Sequence, residues 1–507
     1  VDHRVGSADA GISLDGRPAG AALVSAATVA LTIVGVVVLG TTSFALLSVR
    51  HIKMDPQQFI VGGRSFGTIF LWVLLAGEIY TSFTFLGASG WAYGFGAPAY
   101  YILAYGSCAY VIGYFLLPAI WRVAKERSLL TGADFFVDRY DSQSLGVFVA
   151  CTQFIVLIPY IALQLSGLQL LLRMAGYGTI DAMLAVSTAF VLIALFVFTA
   201  GLRGTAWASV AKDTLVLGAV VFAGIAIPVQ FFGSPVKMID QVLRAYPTHL
   251  TLTPGTGVHG TVWYVSTVLL SAIGFFMAPH GMSAIYSARS EETLRRNAVL
   301  LPLYQVVMVL VFFAGLAALL IVPGLSGTAV DRSFLLVVQR YYPPWVMGFV
   351  AAAGSLAALV PASAQLLGAA SIFSKNVLGA FGIATSDAAR TLATRILVIV
   401  VAVLALGFWI EEQKTLVELI LIYYNGVVQF MPGVAAAFIF RRATAWGVAG
   451  GIAAGLALVC IFAALKTPLW GINAGLVALV GNVIVTVGVS AVTPKPRSRL
   501  SFSETSS

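Results

Sequence analysis

The chain has 507 residues, of which 59% are hydrophobic and only 10% charged, with a formal net charge of +9. A water-soluble domain carries about 25% charged residues, so most of this surface must be solvated by lipid, where unpaired backbone groups limit the spans to helices or a closed barrel. The basic surplus lies in short loops between apolar runs rather than in a basic domain, which points away from nucleic acid and toward the cytoplasmic loops of a membrane protein.

The first 18 residues are polar, with Asp2, Asp9 and Asp15. A secretory leader would open on basic residues and a shorter apolar core, so they are expected to be an uncleaved tail before a true span at 19–49. Further apolar runs follow at 67–93, 98–121, 144–172, 179–202, 206–232, 262–288, 298–322, 345–372, 392–410, 415–438, 444–465 and 470–492. Barrel strands would be only about 9–11 residues long, so these runs predict an all-α polytopic membrane protein of about thirteen helices. The residues from 493 form a short polar tail. With the N-terminus outside, 20 of the 29 Lys and Arg fall on the inner side, which predicts an N-out, C-in chain passing repeatedly through the cell membrane. Cys108, Cys151 and Cys460 fall inside apolar runs without paired spacing, which predicts buried packing residues rather than zinc ligands or disulfides.

Two runs are interrupted in the middle. The second contains Gly77-Glu78-Ile79-Tyr80-Thr81-Ser82 and then Gly87-Ala88-Ser89-Gly90; the seventh contains Gly274-Phe275-Phe276-Met277-Ala278-Pro279-His280-Gly281. Pro279 removes a helix donor and glycines relax the backbone. Breaks five spans apart, at matching places, point to the midplane site of an inverted-repeat transporter; a plain kink is the simpler reading of either break alone.

Phe59-Ile60-Val61-Gly62-Gly63-Arg64-Ser65 resembles the segment that opens the core of the sodium/solute symporter family. Leu130-Thr131-Gly132-Ala133-Asp134-Phe135-Phe136-Val137-Asp138-Arg139-Tyr140 and Gly201-Leu202-Arg203-Gly204 with Asp213 extend the likeness over most of residues 50–440. A narrower similarity is to the monocarboxylate permease branch, through Gly77 to Phe85, Pro159 to Leu165, Pro279-His280, Arg295-Arg296-Asn297-Ala298 and Leu359-Val360-Pro361-Ala362-Ser363. The resemblance implies a LeuT-type core of two five-helix inverted repeats, 67–232 and 262–438, within a core of 50–438. A peripheral helix at 19–49 precedes it, and two at 439–492 follow. It also implies uptake of small organic acids such as lactate and pyruvate, coupled to H⁺ or Na⁺. Sodium-coupled members usually carry adjacent Ser/Thr hydroxyls in the ninth span; Val360 and Pro361 stand there instead, with Ser363 displaced. A hard ion needs several oxygens, so a sodium site near Gly77, Tyr80, Val360 and Ser363 departs from the family pattern.

Glu78 lies near the middle of the second span, where burial penalises the charged carboxylate. It reads as a proton carrier or as a paired residue that holds the break. No Arg or Lys is expected at mid-membrane depth in the core, so the donors for a substrate carboxylate are expected to be half-helix N–H groups. Tyr80, Thr81, Ser82 and Thr84 would assist, with Tyr160 and Gln164 forming a second polar patch beside Pro159. Each hydroxyl alone reads better as a satisfied packing group, while as a cluster at a break they favour function. His280, after Pro279, is a relay or a structural histidine. Tyr423-Tyr424-Asn425-Gly426 is expected to pack. Asp213 matches the family's acidic residue on the cation route; a Lys212–Asp213 pair at a helix end is the plainer reading, though neighbours in a helix do not face one another.

These features favour a cation-coupled carrier of small monocarboxylates over a sodium symporter of an amino acid or vitamin. An integral-membrane enzyme lacks a His/Asp/Glu cluster, a sensor lacks a terminal domain, and a channel lacks a filter repeat. No cofactor is implied beyond the coupling cation, and nothing in the sequence sets an oligomeric state.

Overall fold

The computed structural model describes residues 19–50, 56–383, 385–412, 414–466 and 469–494, without the side chains of 19–21, 49, 56, 57, 59 and 198–203. The expected tail at 1–18, nearly all of that at 493–507, and Lys53 lie outside the described residues. The molecule is helical, and the apolar side chains on its outer helices point outward. Val36, Leu39, Phe115, Ile155, Leu195 and Leu303 are all exposed, as lipid-facing residues should be. This inverted surface corrects the expectation for the cysteines. Cys108 and Cys460 are exposed and Cys151 is half-buried, because in a membrane bundle an apolar position need not be an interior one.

Among the described residues, ten helices are long and apolar enough to cross a membrane, and two bent pairs make up to twelve. The first is α1 (Ala19–Val49). The first bent pair joins α2 (Thr68–Ile79) to α3 (Ala88–Gly94). Next come α4 (Tyr101–Glu126), the loop helix α5 (Gly132–Tyr140), and α6 (Gln143–Val156) with α7 (Ile158–Ala175), which meet at the Pro159 kink. The fifth and sixth expected spans correspond to α8 (Ala182–Val197) and α9 (Gly204–Phe232), of which α8 is the shorter.

Both of these helices pack along α1. Ala185 and Thr188 share a groove with Val34 and Val38, while Phe196 and Ala208 cluster with Ala45. Gly218 abuts Phe349, next to Gly348, which lies against Ala30 and Ile33. Along one straight helix Ala185 and Gly218 would lie about 50 Å apart at about 1.5 Å per residue. Their common neighbours show instead that α8 and α9 run antiparallel.

The second bent pair joins α10 (Thr261–Gly274) to α11 (Pro279–Ser287), and both pairs bend by 53°. At the bundle centre lies α12 (Pro344–Phe373), buried along nearly its whole length. Then come α13 (Asp387–Glu411) and α14 (Leu416–Val427). The terminal pair, α15 (Ala445–Leu465) and α16 (Ala474–Val492), packs through Gly447, Gly451 and Gly455 against Ser490, Thr486 and Asn482, the close approach that small residues four apart permit between membrane helices.

Each end of the bundle carries a polar latch. At the end rich in basic residues, Gly62, Gly63 and Arg64 all take positive φ. This turn lets Phe66 N–H donate to Ser287 O (3.1 Å) and Phe66 O accept from Arg289 N–H (2.9 Å), while the Arg64 guanidinium donates to Leu129 O. Nearby, Asp134 caps α5 with Thr131, pairs with Lys375 and accepts from Asn376 Nδ2 at 2.8 Å. Burial works against the Asp134 carboxylate, but Lys375 and the hydrogen bonds outweigh it and hold its pKa below the usual carboxylate range.

At the opposite end Asp331 Oδ2 accepts from Leu416 N–H at the start of α14 (2.9 Å), and Gly90 of α3 is small enough to let Asp331 in. Burial pushes the Asp331 carboxyl up to about 7 against the pull of the Leu416 N–H, with Glu418 adding to the rise. A group raised from its ordinary value of 3.8 favours the closed packing while protonated. That contribution is complete below the ordinary value and is lost as pH rises through about 7. Melting in detergent is therefore expected to fall as pH rises from about 4 to about 7 and to level off above that, and Asp331→Asn should flatten that slope. An unchanged slope in the variant would remove Asp331 from this latch.

Candidate functional site

The two breaks face each other across the bundle centre. In the first, α2 ends at Ile79, and Tyr80 leaves the helix with φ −89° and ψ 86°. The hydroxyls expected to meet a substrate are largely spent on the break itself. Thr84 Oγ1 donates to Ile79 O (2.7 Å) and accepts from Thr81 N–H (2.9 Å), while Thr81 Oγ1 accepts from Phe83 N–H (3.2 Å). Tyr80 packs on Tyr304 at 4.8 Å between ring centres, apart from the cavity described below. Ser82 packs on Gly167, and its Oγ is buried without a hydrogen-bond partner among the described residues.

In the second break Pro279 occupies the first turn of α11, where a missing N–H costs nothing. Gln153 Nε2 caps the exposed Met277 carbonyl at 3.0 Å. Gly368 of α12 lets the backbone of His280 approach closely.

Between the breaks, Glu78 Oε2 lies 3.3 Å from His280 Nε2, with both side chains largely buried. The two are close enough to form an ion pair when His280 is protonated, without an aligned hydrogen bond. Among the described residues Glu78 Oε2 has no hydrogen-bond partner, and neither has His280 Nδ1. The pair lines a cavity of about 20 Å³ with Tyr160, Phe275, Phe276, Tyr423 and Tyr424. Tyr160 packs on Tyr423 at 4.7 Å and lies 5.9 Å from the His280 ring. Behind this wall Tyr424 Oη donates to Tyr105 Oη at 3.3 Å, and Tyr110 meets the edges of Phe275 and Phe276.

The expected Glu78, Tyr160 and His280 thus come together. Tyr423 and Tyr424, expected only to pack, also face the cavity. Tyr105 and Tyr110 were not singled out in the sequence, and Phe275 and Phe276 were named there only as part of the second break. The signal for the first two was the recurrence of tyrosine about once per helical turn in the third span, at Tyr101, Tyr105, Tyr110 and Tyr114.

Gln164, expected to join Tyr160 in a polar patch, is fully buried, and its amide has no hydrogen-bond partner at either atom among the described residues. On α12 the amide of Gln365 is buried and unpartnered in the same way.

The largest departure concerns Lys212. No basic residue was expected at membrane depth, yet Lys212 lies eight positions into α9 and is fully buried. Its Nζ donates to Gly77 O (2.8 Å) and Tyr80 O (3.2 Å) and lies 2.9 Å from Asp213 Oδ1. The expectation failed because the flexible four-carbon stem carries the charge away from the helix. The same reach lets Lys212 meet its own neighbour Asp213, which side-chain directions alone disfavour. The contact with Asp213 is again one of charge, as neither Asp213 oxygen makes an aligned hydrogen bond among the described residues. The other residues named for a sodium site are engaged as well. Ser363 Oγ donates to Val360 O (2.6 Å) and lies 3.0 Å from Thr205 Oγ1, and the Val360 side chain sits in an apolar cluster.

Comparison with known proteins agrees with this architecture. The family model described as the sodium:solute symporter family matches residues 59–455. An uncharacterized symporter, YhjB, of Bacillus subtilis (strain 168) is 41% identical, over 88% of this chain and 93% of its own. A monocarboxylate transport permease protein of Rhizobium johnstonii is 30% identical, over 86% and 90%. A solved substrate-bound, outward-open Na⁺-coupled sialic acid symporter superposes with a TM-score of 0.73 at 16% identity, over 92% of this chain and 98% of its own.

Proposed function

We propose that this chain, which belongs to the sodium:solute symporter family, takes up small monocarboxylates such as lactate and pyruvate by cation-coupled alternating access. The observation that carries this reading is the Glu78–His280 pair in a small tyrosine-walled cavity between two half-helices. The start of α11 offers backbone N–H groups and the positive end of a helix to an anion, and His280 adds a donor. The tyrosines and Phe275 would line the path of the short carbon chain once the cavity opens beyond its present volume of about 20 Å³. A carboxylate entering beside Glu78 brings like charges together, so it must arrive with a cation or proton that the Glu78–His280 pair can share. The 30% identity to a monocarboxylate permease supports the substrate class.

We place the core at 50–438, its repeats at 67–232 and 262–438, and the Arg64 latch on the cytoplasmic side of the cell membrane. One repeat would rock against the other about the midplane site.

The test is uptake of labelled lactate and pyruvate by proteoliposomes under an inward proton gradient without sodium, and under an inward sodium gradient at equal pH. Accumulation of either acid is expected. Absence of uptake in both gradients would overturn the substrate class and leave the fold in place.

A further inference from the structure

We infer that the Lys212 ammonium is a resident cation, standing on the carbonyls where the family resemblance implied a sodium ion, so that this carrier works without sodium at that place. An ammonium has three donors and no acceptor, and two of them are spent on Gly77 O and Tyr80 O. Asp213 Oδ1 stands 2.9 Å away as its charge partner. Gly77 makes room for it: a Cβ there would come within 3.0 Å of Ser209 Oγ and 3.2 Å of Lys212 Nζ. Asp213 is its counter-charge, which a fully buried cation requires.

The remaining oxygens needed by a hard ion are not on offer. Val360 contributes an apolar side chain, Pro361 has no side-chain oxygen, and Ser363 is hydrogen-bonded to its own helix and close to Thr205. The charge that sodium-coupled members bind and release is therefore tethered here to α9, holding it to the broken helix. The inference rests on the reading of the chain as a cation-coupled carrier, and it leaves the driving cation to act elsewhere, at the Glu78–His280 pair.

The test has two arms on the full-length protein. In the first, radiosodium binding to the purified wild type is measured without substrate. No saturable binding is expected, and saturable binding would overturn the inference. In the second, proteoliposomes carrying wild type, Lys212→Ala or Lys212→Met are assayed for lactate uptake with and without sodium, and with added methylammonium. Wild-type uptake should not change with sodium. Both variants should lose uptake at least tenfold, and methylammonium should restore part of it in Lys212→Ala, where it can re-enter the vacated space, but not in Lys212→Met. Sodium-dependent wild-type uptake, or full uptake by Lys212→Met, would overturn the resident cation.

Should the lysine variants fail to fold, radiosodium binding and the sodium dependence of uptake in the wild type keep the inference falsifiable, since neither needs a substitution. If no acid is carried by any protein, the monocarboxylate reading fails, while radiosodium binding still decides the role of Lys212.

Discussion

Asp213→Asn is expected to lower the stability of the purified protein by about 3–5 kcal/mol, the cost of leaving one member of a buried ion pair uncompensated. Lys212 is fully buried and Asp213 nearly so, so solvent screens little of this loss. Lys212→Met should cost a similar amount, because it strands the carboxylate and frees Gly77 O and Tyr80 O at the break. The double variant Lys212→Met/Asp213→Leu should cost less than the two single changes together, as residues in direct contact are not additive. Transport should be lost in all three. Thermal melting in detergent measures the stability terms. Additive losses would show that the two charges do not act as a pair. Recovered transport in the double variant would show that the pair serves stability alone.

Glu78→Gln is expected to abolish accumulation driven by a proton gradient while one-for-one exchange of internal and external acid persists. The amide keeps the shape of the side chain but carries no proton between the two sides. It also deprives His280 of its charged neighbour. Losing that contact should raise the KM for exchange several-fold. The two readouts separate the roles. A raised KM with intact accumulation would make Glu78 a positioning residue for His280. Loss of accumulation with exchange intact would make it the proton carrier. Unaltered transport in both assays would take Glu78 out of the mechanism.

The two predictions concern residues that were not equally visible in the sequence. Glu78 could be found there because a carboxylate in an apolar run is conspicuous, and His280 because it follows Pro279 in the second break. Lys212 is as polar as Glu78, yet it read as a helix-end residue. Its depth depends on where α9 begins and on how far its stem bends back, and neither is a property of local sequence. Thr81 and Thr84 show the reverse error. Their hydroxyls beside a break looked available for a substrate, but in the fold they cap the backbone groups that the break exposes. A sequence shows which donors exist; only the neighbours decide which of them remain free.

Composition and periodicity by themselves determined that this chain is a bundle of membrane helices with two broken spans, because lipid permits little else for such an apolar chain and Pro279 cannot continue a helix. The tertiary structure alone decided which side chains meet at the breaks. Glu78 and His280 stand in different halves of the chain, Phe275 comes from the same break as His280, and Tyr160 and Tyr423 arrive from two further segments. It also decided that Cys108 and Cys460 face outward and that an ammonium from α9 occupies the carbonyls of the first break. Each of these is set by how the helices pack against one another rather than by any local spacing.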